Sequence, residues 1–342
     1  MKRVTISDVA QKAGVSKSTV SHVINQTRFV ENDTRKRVLL AINELNYRPS
    51  GIARSLVSQR TRTAGLLISD VGNPFYHEVI MGVEEVALAN GYSVFLCNTS
   101  YDLERGMRLV HSLIDRSVDG VMFMSSRMSL EMVQEVVKNQ IQAVVLDWEN
   151  TQVEDLAASI TIDFKTGIQQ AVAHLVGLGH ENIAYVSGPL NFWTARARRD
   201  AFLEALEECG VNPESSLLIE GNLRIEGGHK AFSQLIHATP RPSAVVTAND
   251  LTALGVLWAA RNEGLIIPQD ISVIGLDDID LASKVTPPLT TIALPRFEIG
   301  RRAMQLLLDM IDYPATVVRQ QEVGTWLVVR ESTAQPAKTP VH

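Results

Sequence analysis

The apolar positions change their period along the chain. Between Ile6 and Leu45 they recur three and four residues apart, the spacing of helices with one buried face. From Thr63 onward, short unbroken apolar runs alternate with amphipathic stretches. In the first segment Ile6, Val9, Ala10 and Ala13 share a helix face. Thr5 opens that helix, and Asp8 stands three residues later, where its carboxylate reaches back to a free N–H. Gly14 ends it, because glycine enters the left-handed turn without a Cβ penalty. Val15 is the turn hydrophobe. Ser16 caps a second helix, Lys17–Asn25, with Val20, Val23 and Ile24 inward and Lys17, Ser18, Ser21 and His22 outward. A third helix is expected at about 33–45, with Val38, Ala41, Ile42 and Leu45 inward. Two short helices about a turn apart read as a helix-turn-helix, and the outward residues are of a size and polarity suited to base edges and phosphates in a major groove.

After Pro49 the segment 51–56 is too short to be a stable helix alone in water. It either orders against DNA and a second subunit, with Leu56 as an apolar wedge for the minor groove, or it is an ordinary linker whose leucine packs on the body.

The remainder predicts an α/β body. Strands are expected at 65–68, 94–96, 120–123 and 143–146, with helices near 75–90, 103–116 and 130–139 between them. The pattern then restarts, with helices at 168–177, 195–209 and 253–262 and strands at 183–186, 244–246 and 272–274. Unbroken apolar strands between helices mean a parallel sheet covered on both faces. Two rounds mean two doubly wound subdomains with a cleft between them. A last helix at about 297–310 is assigned to the first subdomain. The expected division is 1–48 for the helix-turn-helix, 49–62 for the hinge, 63–332 for the body, with chain crossings near 160, 292 and 324, and 333–342 as a disordered tail. With two prolines and no leucine heptads, that tail cannot form a tetramerising bundle, so a dimer is expected.

Charge sharpens the division. Residues 1–62 hold 12 Lys/Arg against 4 Asp/Glu, a formal +8, while the remaining 280 residues carry −14, giving the chain its net −6. A basic head on an acidic body is the electrostatic footprint of a nucleic-acid reader. Arg28, Arg35, Lys36 and Arg37 add phosphate-facing charge around the third helix. No apolar run approaches the ~20 residues that span a bilayer, and the basic N-terminus lacks a signal core, so the reading is cytoplasmic. Cys97 and Cys209 match no metal or disulfide spacing and are expected as reduced, buried thiols.

Ligands of open parallel sheets sit beyond the carboxyl ends of the strands. The loops there offer Asn73, Phe75 and Tyr76; Asp147-Trp148; Phe192, Trp193, Arg196 and Arg198; Asn249-Asp250; and Asp277-Asp278. Aromatic walls mixed with Asp, Asn and Arg suit a sugar, with its apolar C–H faces and hydroxyl edges. Gly177-Leu178-Gly179-His180 follows a helix instead of opening one, so it is not a phosphate loop, and no hydrolase, zincin or P-loop spacing occurs. Neither an enzyme nor a cofactor or metal is expected. A sugar-binding module without DNA activity is the weaker alternative.

Thr5-Ile6-Ser7-Asp8-Val9-Ala10, Ala13-Gly14-Val15-Ser16, Thr19-Val20-Ser21, Asn25, Tyr47-Arg48-Pro49 and Ala53-Arg54-Ser55-Leu56 together resemble the lactose-repressor (LacI/GalR) family. Asn73-Pro74-Phe75-Tyr76, Leu96-Cys97-Asn98-Thr99, Asp147-Trp148 and Thr286–Ile292 extend the resemblance, most closely to the pattern of its ribose repressors and next to its purine repressors. The resemblance implies a small all-α helix-turn-helix domain joined to a periplasmic-binding-protein-like α/β body. It implies a repressor of transcription that binds near-palindromic double-stranded DNA as a homodimer, controlled by a small-molecule effector, a sugar or, alternatively, a purine-type co-repressor. The DNA-binding set is then Thr5, Ser16, Lys17, Ser18, Ser21, His22, Asn25, Arg28 and the intercalating Leu56, with His22 either on a guanine or on a phosphate. The effector-binding set is Asn73, Phe75, Tyr76, Trp148, Phe192, Arg198, Leu223, Asn249 and Asp277. Phe192 and Leu294 depart from the polar residues of the ribose-type pattern and make the expected pocket more apolar.

Overall fold

A computed structural model describes residues 4–25, 27–47, 60–148 and 156–337. The chain divides into two compact units, Met1–Arg62 and Thr63–His342. The hinge segment 51–56, with Leu56, lies outside the described residues.

In the first unit α1 spans Ile6–Ala13, α2 Lys17–Asn25 and α3 Asn32–Glu44. The Thr5 backbone N–H donates to the Asp8 carboxylate at 2.8 Å, so the expected capping box is present. Gly14 follows α1 at φ 66°, and the Thr19 N–H donates to Ser16 Oγ at 3.1 Å, capping α2. Val9, Val20 and Val38 are wholly buried, and Ala10, Ala13, Val23 and Ala41 close a small core around them. So little buried apolar surface leaves a marginal fold.

The second unit holds two six-stranded sheets. The first contains β1 (Thr63–Ile68), β2 (Ser93–Asn98), β3 (Gly120–Met124), β4 (Gln142–Leu146), β5 (Ala158–Asp163) and β11 (Gln320–Gly324), in the order β11-β5-β4-β3-β1-β2 and all parallel. The second contains β6 (Ile183–Ser187), β7 (Leu218–Glu220), β8 (Ala244–Thr247), β9 (Ser272–Asp277), β10 (Thr290–Ala293) and β12 (Trp326–Val328), in the order β12-β10-β9-β8-β6-β7. Its edge strand β12 runs antiparallel to β10, the one departure from the all-parallel expectation among the described strands.

Helices cover both faces: α4 (Phe75–Ala89), α5 (Leu103–Asp115), α6 (Leu130–Lys138), α7 (Phe164–Gly177), α8 (Trp193–Glu208), α9 (Ile225–His237), α10 (Asp250–Asn262) and α11 (Arg296–Asp312). The chain passes from β5 into α7, from β10 into α11 and from β11 into β12, so three strands of chain join the lobes. The last helix lies on α4 of the first lobe. A Cβ on Gly82 would collide with the Phe297 carbonyl, and one on Gly300 with that of Val79, so both glycines let the two backbones touch.

The segment after Ser332 departs from expectation. Thr333 and Ala334 are tied down: His174 Nε2 lies 3.0 Å from Thr333 Oγ1, and His180 Nε2 donates to the Ala334 carbonyl at 2.8 Å. The Ala334 N–H donates to Ser272 Oγ at 3.1 Å. These polar anchors, spread over three elements, have no periodic signature in the sequence. Burial holds the imidazoles of His174 and His180 below the ordinary range. The unfolded chain therefore takes up protons first on acidification, and stability falls with pH just below that range. Deleting 333–342 is expected to cost about 1–3 kcal/mol, since His180 loses a buried acceptor. It should also flatten that acid limb, which urea denaturation at pH 5 and 7.5 measures; identical midpoints in the full-length and shortened chains would show the strap to be passive.

Candidate functional site

The recess expected from the strand ends forms where loops of both lobes meet. Asn73, Phe75 and Tyr76, after β1, face Arg198 on α8, Leu223 after β7, Asn249 after β8 and Asp277 at the end of β9, around a cavity of about 50 Å³. Tyr101 and Ser126 complete its wall. Trp148 lies elsewhere, in a larger chamber of about 340 Å³ beside this recess. Phe192 lines neither; it is 6 % exposed and stacks on Tyr101 with ring centroids 5.5 Å apart. Leu294 is buried in the main hydrophobic core.

Each polar group in the recess has a definite hydrogen-bonding state. Asn73 Oδ1 accepts the Phe75 N–H at 3.0 Å, an Asx turn that starts α4. The Tyr76 hydroxyl donates to the Met124 carbonyl at 2.9 Å, so its ring serves as a wall, edge-on to Phe75. Asn249 caps α10 through the Thr252 N–H and hydroxyl, at 3.0 and 2.6 Å, and its amide donates to the Leu223 carbonyl at 2.9 Å. One amide hydrogen is all it has left to give. Arg198 Nη1 donates to the Ala248 carbonyl at 2.9 Å, and its guanidinium lies 4.1 Å from the centre of the Phe164 ring. Its Nε is buried with no partner among the described residues.

Asp277 is 4 % exposed, and no donor reaches its carboxylate among the described residues. Burial, reinforced by the nearby Asp250 charge and opposed by Arg198 and Arg296, pushes its pKa up to about 8. Arg198 and Asp277 form no ion pair within 4 Å, although the Arg198 charge is near enough to act on the Asp277 carboxyl. Both are left with unused capacity. Asp147, Leu223, Asp277 and Asp278 are held at φ 50°, 63°, 122° and 52°. They are four of the ten described non-glycine residues with positive φ, and these four lie at or just beyond strand ends of the body.

Two contacts bridge the lobes at the rim. Arg224 pairs with Asp70 at 2.6 Å, and Phe192 stacks on Tyr101. Deeper, Arg296 holds Glu78 by a two-pronged pair, at 2.8 and 3.3 Å, and donates to the Asp277 carbonyl at 2.8 Å. Strands β2 and β3 also end at the cleft, and applying the strand-end rule to them identifies Tyr101 and Ser126, which the sequence reading passed over.

In the first unit Thr5, Ser16, Lys17, Ser18, Asn25 and Arg28 are exposed, and Ser21 and His22 half-buried. His22 Nδ1 lies 2.8 Å from Thr27 Oγ1, and Asn25 Nδ2 donates to Ser21 Oγ at 3.2 Å. Phe29, beside Arg28 in the chain, is 94 % exposed.

Residues 5–50 match the description "Bacterial regulatory proteins, lacI family", and residues 172–333 match a periplasmic binding protein-like domain. The chain is 40% identical over 332 residues to the ribose operon repressor of Escherichia coli (strain K12), covering 96% of this chain and 99% of that protein. It is 38% identical over 329 residues to the HTH-type transcriptional repressor PurR of Photobacterium profundum, covering 96% and 98%. The chain belongs to the LacI family of bacterial regulatory proteins. The solved lac repressor dimer bound to operator and the anti-inducer ONPF is 30% identical to this LacI-family chain, with a TM-score of 0.85 over 97% of this chain and 100% of that one. This family member is a DNA-binding repressor of transcription with a small-molecule effector domain. The relatives named have a regulatory role, not an enzymatic one. No helix among the described residues is long and apolar enough to cross a membrane.

Proposed function

We propose that this chain acts in the cytoplasm as a homodimeric repressor on a near-palindromic operator, released from or recruited to DNA by a sugar or sugar derivative held between the lobes. The observation that carries the reading is the pairing of two unspent groups in one recess: the buried Asp277 carboxyl and the unpartnered Nε of Arg198. Unpaired polar groups in a dry site cost stability, and a ligand bearing neighbouring hydroxyls supplies both the donor and the acceptor they lack. Asn73, Phe75, Tyr76, Leu223 and Asn249 would shape and orient it there, with Trp148 at the entrance. Lys17, Ser18 and His22 would select bases, while Thr5, Ser16, Ser21, Asn25 and Arg28 place the module on the backbone; Leu56 is assigned to the hinge step.

A ligand joining the lobes changes the free energy of their closure, and closure in turn displaces the dimer partners that present the two DNA heads. A coupling of a few kcal/mol is enough. A thermal-shift screen of pentoses, hexoses, their phosphates and nucleobases tests the reading, since a true effector raises the melting temperature with its occupancy. The same compound should change affinity for an inverted-repeat DNA selected from a random pool. A compound that stabilises the protein yet leaves DNA affinity untouched would refute the regulatory step.

A further inference from the structure

The chain leaves the second lobe beside Asp277. In the sheet register Ala293, the last residue of β10, pairs with Asp277, the last of β9. Three residues later Arg296 opens α11, which lies on the first lobe. Helix α11 is locked to α4, because Gly82 and Gly300 let the two backbones touch. Arg296 therefore stands on the first lobe's side of this crossing.

Its side chain reaches back over the crossing. Arg296 is 6 % exposed, and its guanidinium faces two ways. Nη2 and Nε donate to the two Glu78 carboxylate oxygens at 2.8 and 3.3 Å, on α4 and two residues after Tyr76. Nη1 donates to the Asp277 carbonyl at 2.8 Å. A planar fork serves both acceptors at fixed angles, so a shift of one acceptor disturbs the bonds to the other. A buried guanidinium that loses a partner is left with charge or donors unsatisfied, so the arrangement resists stretching.

The turn that carries Asp277 has further supports, all within the second lobe. Asp250, wholly buried at the start of α10, accepts the Ile279 N–H at 2.8 Å and also the Thr291 hydroxyl. Arg330, beyond β12, pairs with Asp278 and donates to the Leu289 carbonyl at 2.8 Å. These contacts keep the turn in shape whether or not Arg296 is present. Among the described side chains bonded to residues 277–279, that of Arg296 is the one anchored on the first lobe. It lines none of the cleft cavities.

We propose that Arg296 is a positioning residue for the regulatory response: it takes no part in holding the effector, and it passes the state of Asp277 across the crossing to α4 of the first lobe. This rests on the effector reading above, and it adds the route by which occupancy at Asp277 reaches the other lobe. Because the turn keeps its second-lobe supports, binding and response should come apart when Arg296 is replaced.

The test uses the full-length protein, an inverted-repeat DNA selected from a random pool, and ribose, cellobiose and guanine as probes. A probe that binds the wild-type protein should change its DNA affinity by ~5- to 150-fold. In Arg296→Gln that change should shrink to within about twofold, while the probe's own dissociation constant moves by less than about threefold. DNA should then cease to alter probe affinity, as linkage requires. Arg296→Gln combined with Glu78→Gln strands no charge and should show the same separation if the single variant is poorly folded. Arg296→Lys, whose ammonium has donors for both acceptors, should restore most of the response. A merely structural arginine would lower the melting temperature without separating binding from response.

A second readout needs no ligand. Asp277→Asn alters the effector-facing group directly, and it should change amide hydrogen exchange over residues 75–82 of α4 when Arg296 is present and not in Arg296→Gln. Equal changes in both backgrounds, or none in either, would overturn the route through Arg296. So would an Arg296→Gln protein that keeps the full DNA response to a bound probe. Silence from all three probes in the wild-type protein counts against the effector reading alone, and the exchange comparison then decides the role of Arg296.

Discussion

Replacing Asp277 with Asn is expected to abolish the effector response and, in the same protein, to raise the melting temperature of the ligand-free state. The carboxyl is buried and unpartnered among the described residues, and Asn is close to it in shape and size. Its pKa stands at about 8 in the folded protein, raised chiefly by burial, against ~4 in an unfolded chain. Between those values the folded state keeps a proton that the unfolded state has lost. Stability therefore falls as pH rises from about 4 to about 8. Asn carries no such proton, so the variant's advantage should be absent near pH 4 and greatest above pH 8. For a unit of this size ~1 kcal/mol corresponds to about 2–4 °C, so a gain of several degrees at pH 8.5 is expected. Stability released when an activity is lost is the signature of a group kept for binding. Arg198→Ala should lose the ligand shift as well, without that pH signature. Both variants retaining the full shift would move the binding site elsewhere.

His22→Ala should weaken operator binding by ~1–3 kcal/mol, about 5- to 150-fold, and relax the preference at one base pair of each half-site. Thr27 explains why this side chain is suited to read a base. Its hydroxyl sits 2.8 Å from His22 Nδ1; when it donates there, Nε2 carries the proton and becomes a defined donor for a guanine acceptor. Nε2 has no partner among the described residues. Arg28→Ala should behave differently. An exposed guanidinium just beyond α2 meets phosphate, so its loss weakens all sequences alike and lowers the salt slope by about one. Anisotropy titrations on a selected operator and its single-base variants, at two salt concentrations, separate the two effects. A uniform loss for His22→Ala would place that ring on the backbone.

The recess was legible because its residues follow a rule of chain direction. Asn73, Phe75, Tyr76 and Asn249 follow the carboxyl ends of β1 and β8, and Asp277 closes β9, all three unbroken apolar runs. Other elements carry weaker local signals. Strand β5 alternates Ser159 and Thr161 with buried residues, and β7 has three residues. Helix α9 carries Gly227 and Gly228, which read as helix breakers. Packing demands them: a Cβ on Gly228 would strike the Thr252 carbonyl, and α10 answers with Gly255 against Ile225. Phe192 read as a pocket wall and instead clasps Tyr101 of the other lobe.

The order of apolar and polar positions alone determined three helices, the first two with their N-caps, the alternation that makes parallel sheets, and the loops bearing the candidate ligand groups. These follow from local sterics, hydrogen bonding and burial of one face, which each segment carries within itself. Only the tertiary structure decided how much room those groups share, that Asp277 and Arg198 stand unpaired, that Trp148 belongs to a chamber with Trp193, and that Thr333 and Ala334 strap the second lobe. Volume, desolvation and partnership arise when segments distant along the chain meet, and no single segment records them.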